Sequence, residues 1–337
     1  MMTLRIAACI VALTLLVTPA HAEFPPQQKK QIDAFVKEMV KKHHFKRGKL
    51  EKLLYNARFQ QKIIDAMERP AEAKPWYEYR PIFLTRTRIK GGVEFWNRNK
   101  ALLESVAKEY GVPPQMIVAI IGVETRYGNH TGKHRILDSL STLAFGYPKR
   151  ARFFRKELEE FLLLAKEEKI DPVAAKGSYA GAMGKPQFIA SSYRKYAVDY
   201  DRDGKRDLWR SNADVIASIA NYFKKHGWQR GQPVTMRAQK VTKDHQKFVE
   251  AGMKPTIPTA ELLAAGVRTA ETLPAKTLVS LIELESAKGR KEYWVGLPNF
   301  YAITRYNHSN LYAMAAYQLS EEIQALKEMQ EKGLVTQ

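Results

Sequence analysis

The sequence has one cysteine and no apolar run long enough to cross a membrane. Cys9 is the only cysteine among the 337 residues, so no disulfide can form within the chain. The apolar run from Ile6 to Val17 covers about 12 residues, whereas a membrane-spanning helix needs about 20. The two absences exclude a disulfide-stabilised scaffold and a transmembrane protein.

Residues 1–22 have the pattern of a secretory signal peptide. Arg5 is their only charged residue, and Pro19 and a small-x-small end at Ala22 follow the apolar run. Cleavage after Ala22 predicts a soluble periplasmic protein, which we expect to be a monomer. The segment ending at Cys9 loosely resembles a lipoprotein acylation box. The apolar run follows the cysteine instead of preceding it, so we do not expect a lipid anchor.

Acidic residues are few compared with basic ones. The chain has 35 Asp and Glu against 55 Lys and Arg, a formal charge of +20 that becomes +19 without residues 1–22. This excess predicts a polyanionic partner. Nucleic acid would satisfy the charge, but export favours a cell-wall polymer with carboxylates, and we expect no nucleic-acid partner. A solvated basic surface is the alternative.

The apolar spacing predicts a mainly helical protein. Helical periodicity runs from about 28 to 110 with breaks at Gly48 and Pro70, and further helices are predicted after Pro113, over about 149–166 and 213–226, and from about 311 onwards. Residues 177–184 and 199–210 are predicted loops. Between about 233 and 285 the segments 234–236 and 278–282 favour β-strands, which indicates a small strand-containing unit.

Glu124 is the strongest candidate for catalysis. In the helix after Pro113, three isoleucines at 117, 120 and 121 share a helical face with Glu124. Apolar surroundings disfavour a charged carboxylate and raise its pKa, which suits a general acid. Gly128 ends the helix nearby, where a cleft gives access. A surface glutamate on a partly buried helix fits the spacing equally well.

A glycine-rich segment runs from Gly177 to Gly184. Its three glycines and two alanines allow a ligand or another chain segment to approach the backbone closely. The spacing matches no dinucleotide or phosphate loop, and His43 and His44 are adjacent, so they do not have zinc-ligand spacing. A tight turn with close packing is the alternative to a binding loop.

Four segments together resemble the lytic murein transglycosylase B family. They are GVETRYG (122–128), GSYAGAMGKPQF (177–188), ANYFKKHGW (220–228) and LPNFYAITRYNHS (297–309). The resemblance implies an α+β, mainly α fold with a lysozyme-like catalytic core, a helical domain and a small β domain. We expect these parts to be a signal peptide (1–22), a helical domain (23–110) joined by the C-terminal helix (308–337), the catalytic core (111–232), and a small β-containing domain with return segment (233–307).

The resemblance also implies a reaction. Glu124 would protonate the glycosidic oxygen between N-acetylmuramic acid (MurNAc) and N-acetylglucosamine (GlcNAc) of peptidoglycan. It would then accept the C6 hydroxyl proton as a 1,6-anhydro ring closes. The substrate N-acetyl group would stabilise the anomeric centre, so neither a second carboxylate nor a cofactor is required. This differs from glycosidases that use two carboxylates, and the glycine-rich motif contains no acidic residue.

Further site residues are implied by the matching motifs. Ser178 and Gln187 match hydrogen-bonding residues beside the catalytic glutamate. A lining of tyrosines and an asparagine is matched by Tyr79, Tyr222, Tyr306, Asn307 and Tyr312, whose rings suit the apolar faces of sugars. Arg150 matches one of two arginines that bind carboxylates. Lys149 replaces the other and keeps the charge without the bidentate fork.

An acidic loop has the spacing of a calcium site. Asp199, Asp201 and Asp203 occupy positions 1, 3 and 5, with glycine at 6, although Arg210 replaces the glutamate expected at position 12. The resemblance adds a backbone carbonyl at Lys205 and a later aspartate, Asp214. A structural Ca²⁺ or Na⁺ site is favoured over a solvated acidic turn.

Two other functions remain open from the sequence. A lysozyme-type muramidase would hydrolyse the same bond, and a catalytically silent scaffold would only bind the wall. The silent scaffold would not need Glu124 together with Ser178 and Gln187. The family resemblance leaves room for protein partners in cell-wall synthesis.

Overall fold

The computed structural model describes residues 24–68, 74–241 and 243–335. The predicted signal peptide, Cys9 and the predicted break at Pro70 lie outside these ranges. No helix within them is both long and apolar enough to cross a membrane.

Helices dominate the N-terminal part. They are α1 (Pro26–His43), α2 (Arg47–Tyr55), α3 (Gln61–Met67), α4 (Trp76–Phe83), α5 (Arg86–Arg98) and α6 (Lys100–Tyr110). The predicted break at Gly48 is wrong, because Gly48 lies inside α2. The chain turns instead at His44, which has a left-handed backbone with φ of 56° and ends α1.

The middle of the chain alternates helices and loops. It contains α7 (Pro114–Thr125), β1 (His134–Arg135), α8 (Ile136–Gly146), a 3-10 turn (Pro148–Arg150), α9 (Ala151–Glu167), β2 (Lys176–Gly177), α10 (Ala190–Tyr196) and α11 (Asn212–Lys225). The predicted helices after 113, at 149–166 and at 213–226 are confirmed within two residues. Residues 177–184 are not only loop, since β1 pairs with β2 and Gly177 bridges to Met183.

A five-stranded antiparallel sheet follows. It consists of β3 (Thr235–Lys240), β4 (Ile257–Pro258), β5 (Arg268–Thr269), β6 (Leu278–Ala287) and β7 (Arg290–Gly296), with α12 (Gln246–Glu250) and α13 (Thr259–Ala264) between strands. The strand order is β4-β6-β7-β3-β5. The predicted strands near 234–236 and 278–282 are confirmed, whereas β7 extends the sheet beyond the predicted segments.

Strand β6 is buried on both faces, which explains its continuous apolar run. Val279 and Leu281 belong to a small core with α12 and α13. Ile282 and Leu284 face the main core of the protein, and β6 packs on α4. The sheet is therefore joined to the helical body by one face.

Two helices close the chain, α14 (Pro298–Thr304) and α15 (Asn310–Glu331). Helix α15 packs against α4, α5, α7 and α14. Several of its apolar residues, among them Ala315, Leu319 and Ile323, are fully buried. The helix predicted from the spacing after Tyr306 is confirmed, and it brings residues from the end of the chain onto the helix that contains Glu124.

Candidate active site

Glu124 lies near the end of a helix that is buried on nearly all sides. Seven consecutive residues of α7, from Met116 to Gly122, are buried, and so is Thr125. The surface-glutamate alternative is therefore wrong, because α7 is enclosed by other helices. Glu124 itself is half-buried, so it is not completely enclosed by these helices.

Burial and one hydrogen bond control the ionisation of Glu124. Loss of hydration raises the pKa of its carboxyl from 4.5 to about 7. The Tyr312 hydroxyl donates a hydrogen bond of 2.5 Å to Oε1 and opposes that rise. No other carboxylate in the described part of the chain contributes to the shift. Near neutral pH, Glu124 is thus balanced between acid and base.

A tight turn follows Glu124. Arg126, Tyr127 and Gly128 all have positive φ, of 48°, 62° and 94°. The turn places the Tyr127 ring against Gly122, where an added Cβ would lie 2.6 Å from the Tyr127 hydroxyl oxygen. That hydroxyl donates to the Arg88 carbonyl at 2.6 Å. The glycine at 122 is therefore required by the aromatic ring at 127.

The glycine-rich segment is fastened to the end of α7. The buried Thr125 hydroxyl donates to the Lys185 carbonyl at 2.9 Å. Ser178 accepts a hydrogen bond from the Ala182 amide at its Oγ, at 3.0 Å. Gln187, with φ of 51°, donates its side-chain amide to the carbonyls of Gly184 and Thr131 at 2.9 and 3.2 Å. The segment is a rigid turn, so packing and binding are compatible interpretations of its glycines.

Tyr306 and Tyr312 lie next to Glu124. Their rings are nearly parallel, with centroids 6.5 Å apart. The Tyr306 hydroxyl donates to the Pro186 carbonyl at 2.6 Å, which connects it to the glycine-rich segment. Burial and the nearby Glu124 charge raise the pKa of both phenols well above 10, so both remain hydrogen-bond donors.

Tyr222 supports this pair from behind. It is buried, its ring lies 4.9 Å from that of Tyr306, and its hydroxyl donates to the Arg305 carbonyl. His226 stacks on it at 4.0 Å. These contacts place Tyr222 in the wall of the site, with its hydroxyl already engaged by the protein.

Tyr79 and Asn307 occupy the margins of the site. Tyr79 is 5% exposed and packs on Phe83, with ring centroids 5.1 Å apart. Tyr79 lies close enough to Tyr312 to contribute to the raised pKa of the Tyr312 phenol. Asn307 is half-buried and follows Tyr306 directly.

Lys149 and Arg150 are exposed on the 3-10 turn before α9. Lys149 forms an ion pair with Glu68, Nζ to Oε1 at 3.2 Å. The Arg150 guanidinium lies over the Phe153 ring at 4.4 Å. No contact in the described ranges links either residue to Glu124, so the structure does not bring them to the carboxyl group itself.

The acidic loop gathers three carboxylates. Oxygen atoms of Asp199, Asp201 and Asp203 all lie within 4.8 Å of one another. Backbone amides of the same loop hold them, for example that of Gly204, which donates to Asp199 Oδ2 at 2.9 Å. Three hard oxygen donors at this separation fit a cation such as Ca²⁺.

Asp214 does not join these carboxylates. It is 1% exposed, and its two oxygens accept hydrogen bonds from the amides of Tyr200 and Asp207 at 2.8 and 2.7 Å. Burial raises its pKa to about 6. Asp214 thus braces the loop through both oxygens, and its place in the ligand set stays a prediction. Lys205 lies in the loop, where its amide donates to Asp203 Oδ1.

Comparison with known proteins gives a consistent family. A family model described as the transglycosylase SLT domain matches residues 27–321. The chain belongs to the transglycosylase SLT domain family. It is 44% identical to membrane-bound lytic murein transglycosylase B of Escherichia coli over 299 aligned residues. The aligned region covers 86% of this chain and 81% of the relative.

Solved structures agree with this membership. The soluble lytic transglycosylase SltB1 of Pseudomonas aeruginosa superposes with a TM-score of 0.83 at 49% identity, covering 90% of this chain and 99% of that one. Escherichia coli lytic transglycosylase Slt35 in complex with calcium gives 0.79 at 42% identity, covering 88% and 93%. The lytic transglycosylase B resemblance and the α+β, mainly α, lysozyme-like fold are confirmed. The chain is an enzyme of the lytic transglycosylase class.

Two supporting residues in this transglycosylase could not be predicted from sequence patterns. Thr125 and Tyr127 flank the turn after Glu124 and connect it to the glycine-rich segment and to α5. The only sequence feature that points to this contact is a glycine, Gly122, followed five positions later by an aromatic residue, Tyr127. Its meaning depends on the turn, which folds the Tyr127 ring back onto the helix.

Proposed function

We propose that the protein cleaves the MurNAc–GlcNAc bond of peptidoglycan and closes a 1,6-anhydro ring on MurNAc. The observation that carries the proposal is Glu124, a half-buried carboxyl with a pKa of about 7 beside a donating phenol. The family membership supports a lytic transglycosylase that acts on peptidoglycan.

Glu124 would act twice in this reaction. At neutral pH a large fraction of it is protonated, and it donates that proton to the glycosidic oxygen as the bond to the leaving GlcNAc breaks. The resulting carboxylate then accepts the proton of the MurNAc C6 hydroxyl, whose oxygen attacks the anomeric carbon. The hydrogen bond from Tyr312 stabilises the carboxylate between the two steps.

The positive anomeric centre would be stabilised by the substrate's own N-acetyl group. Burial, and not a neighbouring carboxylate, accounts for the raised pKa of Glu124. Glycosidases with two carboxylates place the second one beside the anomeric carbon. A single carboxyl group is sufficient when the substrate supplies the internal nucleophile.

We assign substrate contacts on the same basis. Ser178 and Gln187 would hydrogen-bond the sugars, and Tyr79, Tyr306 and Tyr312 with Asn307 would line the groove, supported by Tyr222. Arg150 would attract carboxylates of the wall polymer at a distance from Glu124. Lys149, which is paired with Glu68, would contribute less.

The acidic loop would hold a structural Ca²⁺ or Na⁺. Asp199, Asp201 and Asp203 supply carboxylate oxygens, and the solved structure of the related Slt35 contains calcium. The Lys205 carbonyl and the later Asp214, which also holds the loop through two backbone amides, would complete the ligands. The cation would order a loop and would take no part in the reaction.

We further infer that the protein acts in the periplasm after removal of residues 1–22. Residues 23–110 with the C-terminal helix would form one domain, 111–232 the catalytic core, and 233–307 the β-containing domain. We expect a monomer without a lipid anchor, and leave partners in cell-wall synthesis to experiment.

The products of purified sacculi test the proposal. Mass spectrometry should find muropeptides that end in 1,6-anhydro-MurNAc, and Glu124→Gln should release none while keeping the wild-type circular dichroism spectrum. Glu321→Gln is the matched control, because Glu321 also hydrogen-bonds a tyrosine, Tyr317, on α15. Products heavier by one water would assign a muramidase instead, and release by Glu124→Gln would refute the role of Glu124.

A further inference from the structure

A second pocket adjoins the glycine-rich segment. It has a volume of about 620 Å³, within the usual range for ligand sites. Its walls are formed by Tyr193 and three separate segments, residues 131–132, 168–176 and 205–210. None of the lining residues has a role in the reaction proposed above, and Lys205 is assigned only to the proposed cation site, through its carbonyl.

One wall of the pocket is aromatic. Trp209 is half-buried, and its ring lies 5.8 Å from that of the fully buried Tyr193. Its indole N–H donates to the Lys176 carbonyl at 3.0 Å, which fixes the ring. Ile170 and Ala175 add apolar surface. A rigid apolar wall of this kind suits small hydrophobic groups at low entropic cost.

The rim of the pocket is cationic. Lys169, Lys176, Lys205 and Arg210 are all exposed, and within the described ranges none of them forms an ion pair. Their positive charges are therefore available to a ligand.

The acidic residues of the walls are already engaged. Glu168 accepts from the Arg206 Nε at 2.7 Å. Asp171 accepts from the Val173 amide at 2.8 Å, and Asp207 accepts from the amides of Trp209 and Arg210. Because the lining has five basic side chains and only these three acidic ones, the net charge presented to a ligand is positive.

The pocket is connected to the candidate active site. The Thr131 carbonyl accepts the Gln187 side-chain amide at 3.2 Å. Gly132, with φ of 94°, lies so close to the Gly177–Ser178 backbone that a side chain would not fit. The Leu208 carbonyl accepts from the Lys185 amide at 2.8 Å. A ligand in the pocket would therefore lie against the segments that hold Ser178 and Gln187.

We propose that this pocket binds the carboxylate-bearing stem peptide of a peptidoglycan strand. The inference rests on the proposed function, since the walls of the pocket contact the segments that hold Ser178 and Gln187. The exposed lysines and Arg210 would pair with peptide carboxylates, and Trp209 would receive the apolar side chains. The pocket would thereby select glycan that still carries peptides.

Binding of free stem peptide is the direct test. The tetrapeptide released from sacculi by an amidase is titrated calorimetrically into the mature protein, and binding should weaken as salt is added. Lys176→Ala combined with Arg210→Ala should raise Kd about tenfold. Lys288→Ala, an exposed lysine on the β6–β7 turn, should leave Kd unchanged and controls for general charge.

The outcomes separate this site from others. No binding, an unchanged Kd in the double variant, or equal binding of a peptide whose carboxylates are amidated would overturn the proposal. Loss of binding in Arg150→Ala instead would place the peptide at the turn before α9 and would also overturn it. The free peptide contains no glycosidic bond, so these results hold whether or not the reaction yields anhydro products.

Discussion

At the scale of single residues, one hydrogen bond shifts the equilibrium between the protonated and ionised forms of Glu124. Burial alone would keep the carboxyl protonated well above its ordinary pKa, and Tyr312 moves the balance back by donating to Oε1. The proposed reaction needs both forms, because it would start with the acid and pass through the base. We therefore expect Tyr312 to affect the reaction through the pKa of Glu124.

Tyr312→Phe tests this arrangement through the pH profile. The acid form starts the reaction, so kcat/KM should fall as pH rises through about 7 in the wild type. Without the phenol the pKa of Glu124 rises, and the falling limb should move to higher pH. The rate should drop by roughly tenfold to a hundredfold, since a hydrogen bond to a charged group contributes roughly 1.5–3 kcal/mol.

Tyr306→Phe is the control for the pH profile. The Tyr306 hydroxyl donates to the Pro186 carbonyl and not to Glu124, so its removal should leave the falling limb in place. An unmoved limb in Tyr312→Phe would contradict the proposed control of Glu124.

At the scale of elements, the turn after α7 depends on glycines in two neighbouring helices. The Tyr127 ring fits against Gly91 and Gly92 of α5 and Gly122 of α7, and it stacks on Phe95. The three glycines let two helices and a ring approach closely. The end of α7, and with it Glu124, is positioned by this contact.

Gly122→Ala should destabilise the fold although alanine favours helices. The added Cβ would meet Tyr127 at 2.6 Å, and the overpacking should exceed the gain in helix propensity. We expect the free energy of unfolding, measured by denaturant titration, to fall by about 1–2 kcal/mol. Gly48→Ala in α2, where nothing lies within 4 Å, should change it by less than about 0.5 kcal/mol, because the glycine lies in the first turn of the helix. An equally stable Gly122→Ala protein would contradict the packing argument.

The acidic loop is a second element that can be tested alone. If it holds Ca²⁺, removal of the ion by EDTA should lower Tm by on the order of 5 °C, and added Ca²⁺ should restore it. Asp201→Asn with Asp203→Asn should abolish the response, because two of three carboxylates are lost. A Tm that is insensitive to both EDTA and Ca²⁺ would remove calcium from the proposal.

At the scale of the whole molecule, α15 joins parts that are distant in sequence. It packs on α4, α5 and α7 and presents Tyr312 to Glu124, 188 positions earlier. The active site therefore exists only when the C-terminal helix is docked. The β-sheet is joined to the same body through β6 and α4.

Export of the whole chain gives a further prediction. Because small residues flank the predicted site, the mature protein should begin at Glu23, which N-terminal sequencing of periplasmic material would establish. Cys9→Ser should leave the processing and location unchanged. A mature chain that begins with a lipid-modified Cys9 would contradict this prediction.

The sequence by itself determined the class of fold and singled out Glu124 as the candidate for the reacting carboxyl group. Helical periodicity and β-prone segments are local properties, so α7, α11, α15 and the sheet could be predicted. The motifs singled out Glu124, and its apolar neighbours predicted a raised pKa. Gly48 was misjudged, because an exposed glycine near a helix start costs little and need not end the helix.

Only the tertiary structure decided how these residues meet. The hydrogen bond from Tyr312 to Glu124 and the Tyr127 contact with Gly122 depend on packing between elements that no local pattern specifies. The same is true of Asp214, whose carboxylate is used by backbone amides of the loop. Spacing predicts which side chains are available, whereas burial and competing hydrogen bonds decide which of them are free to bind or react.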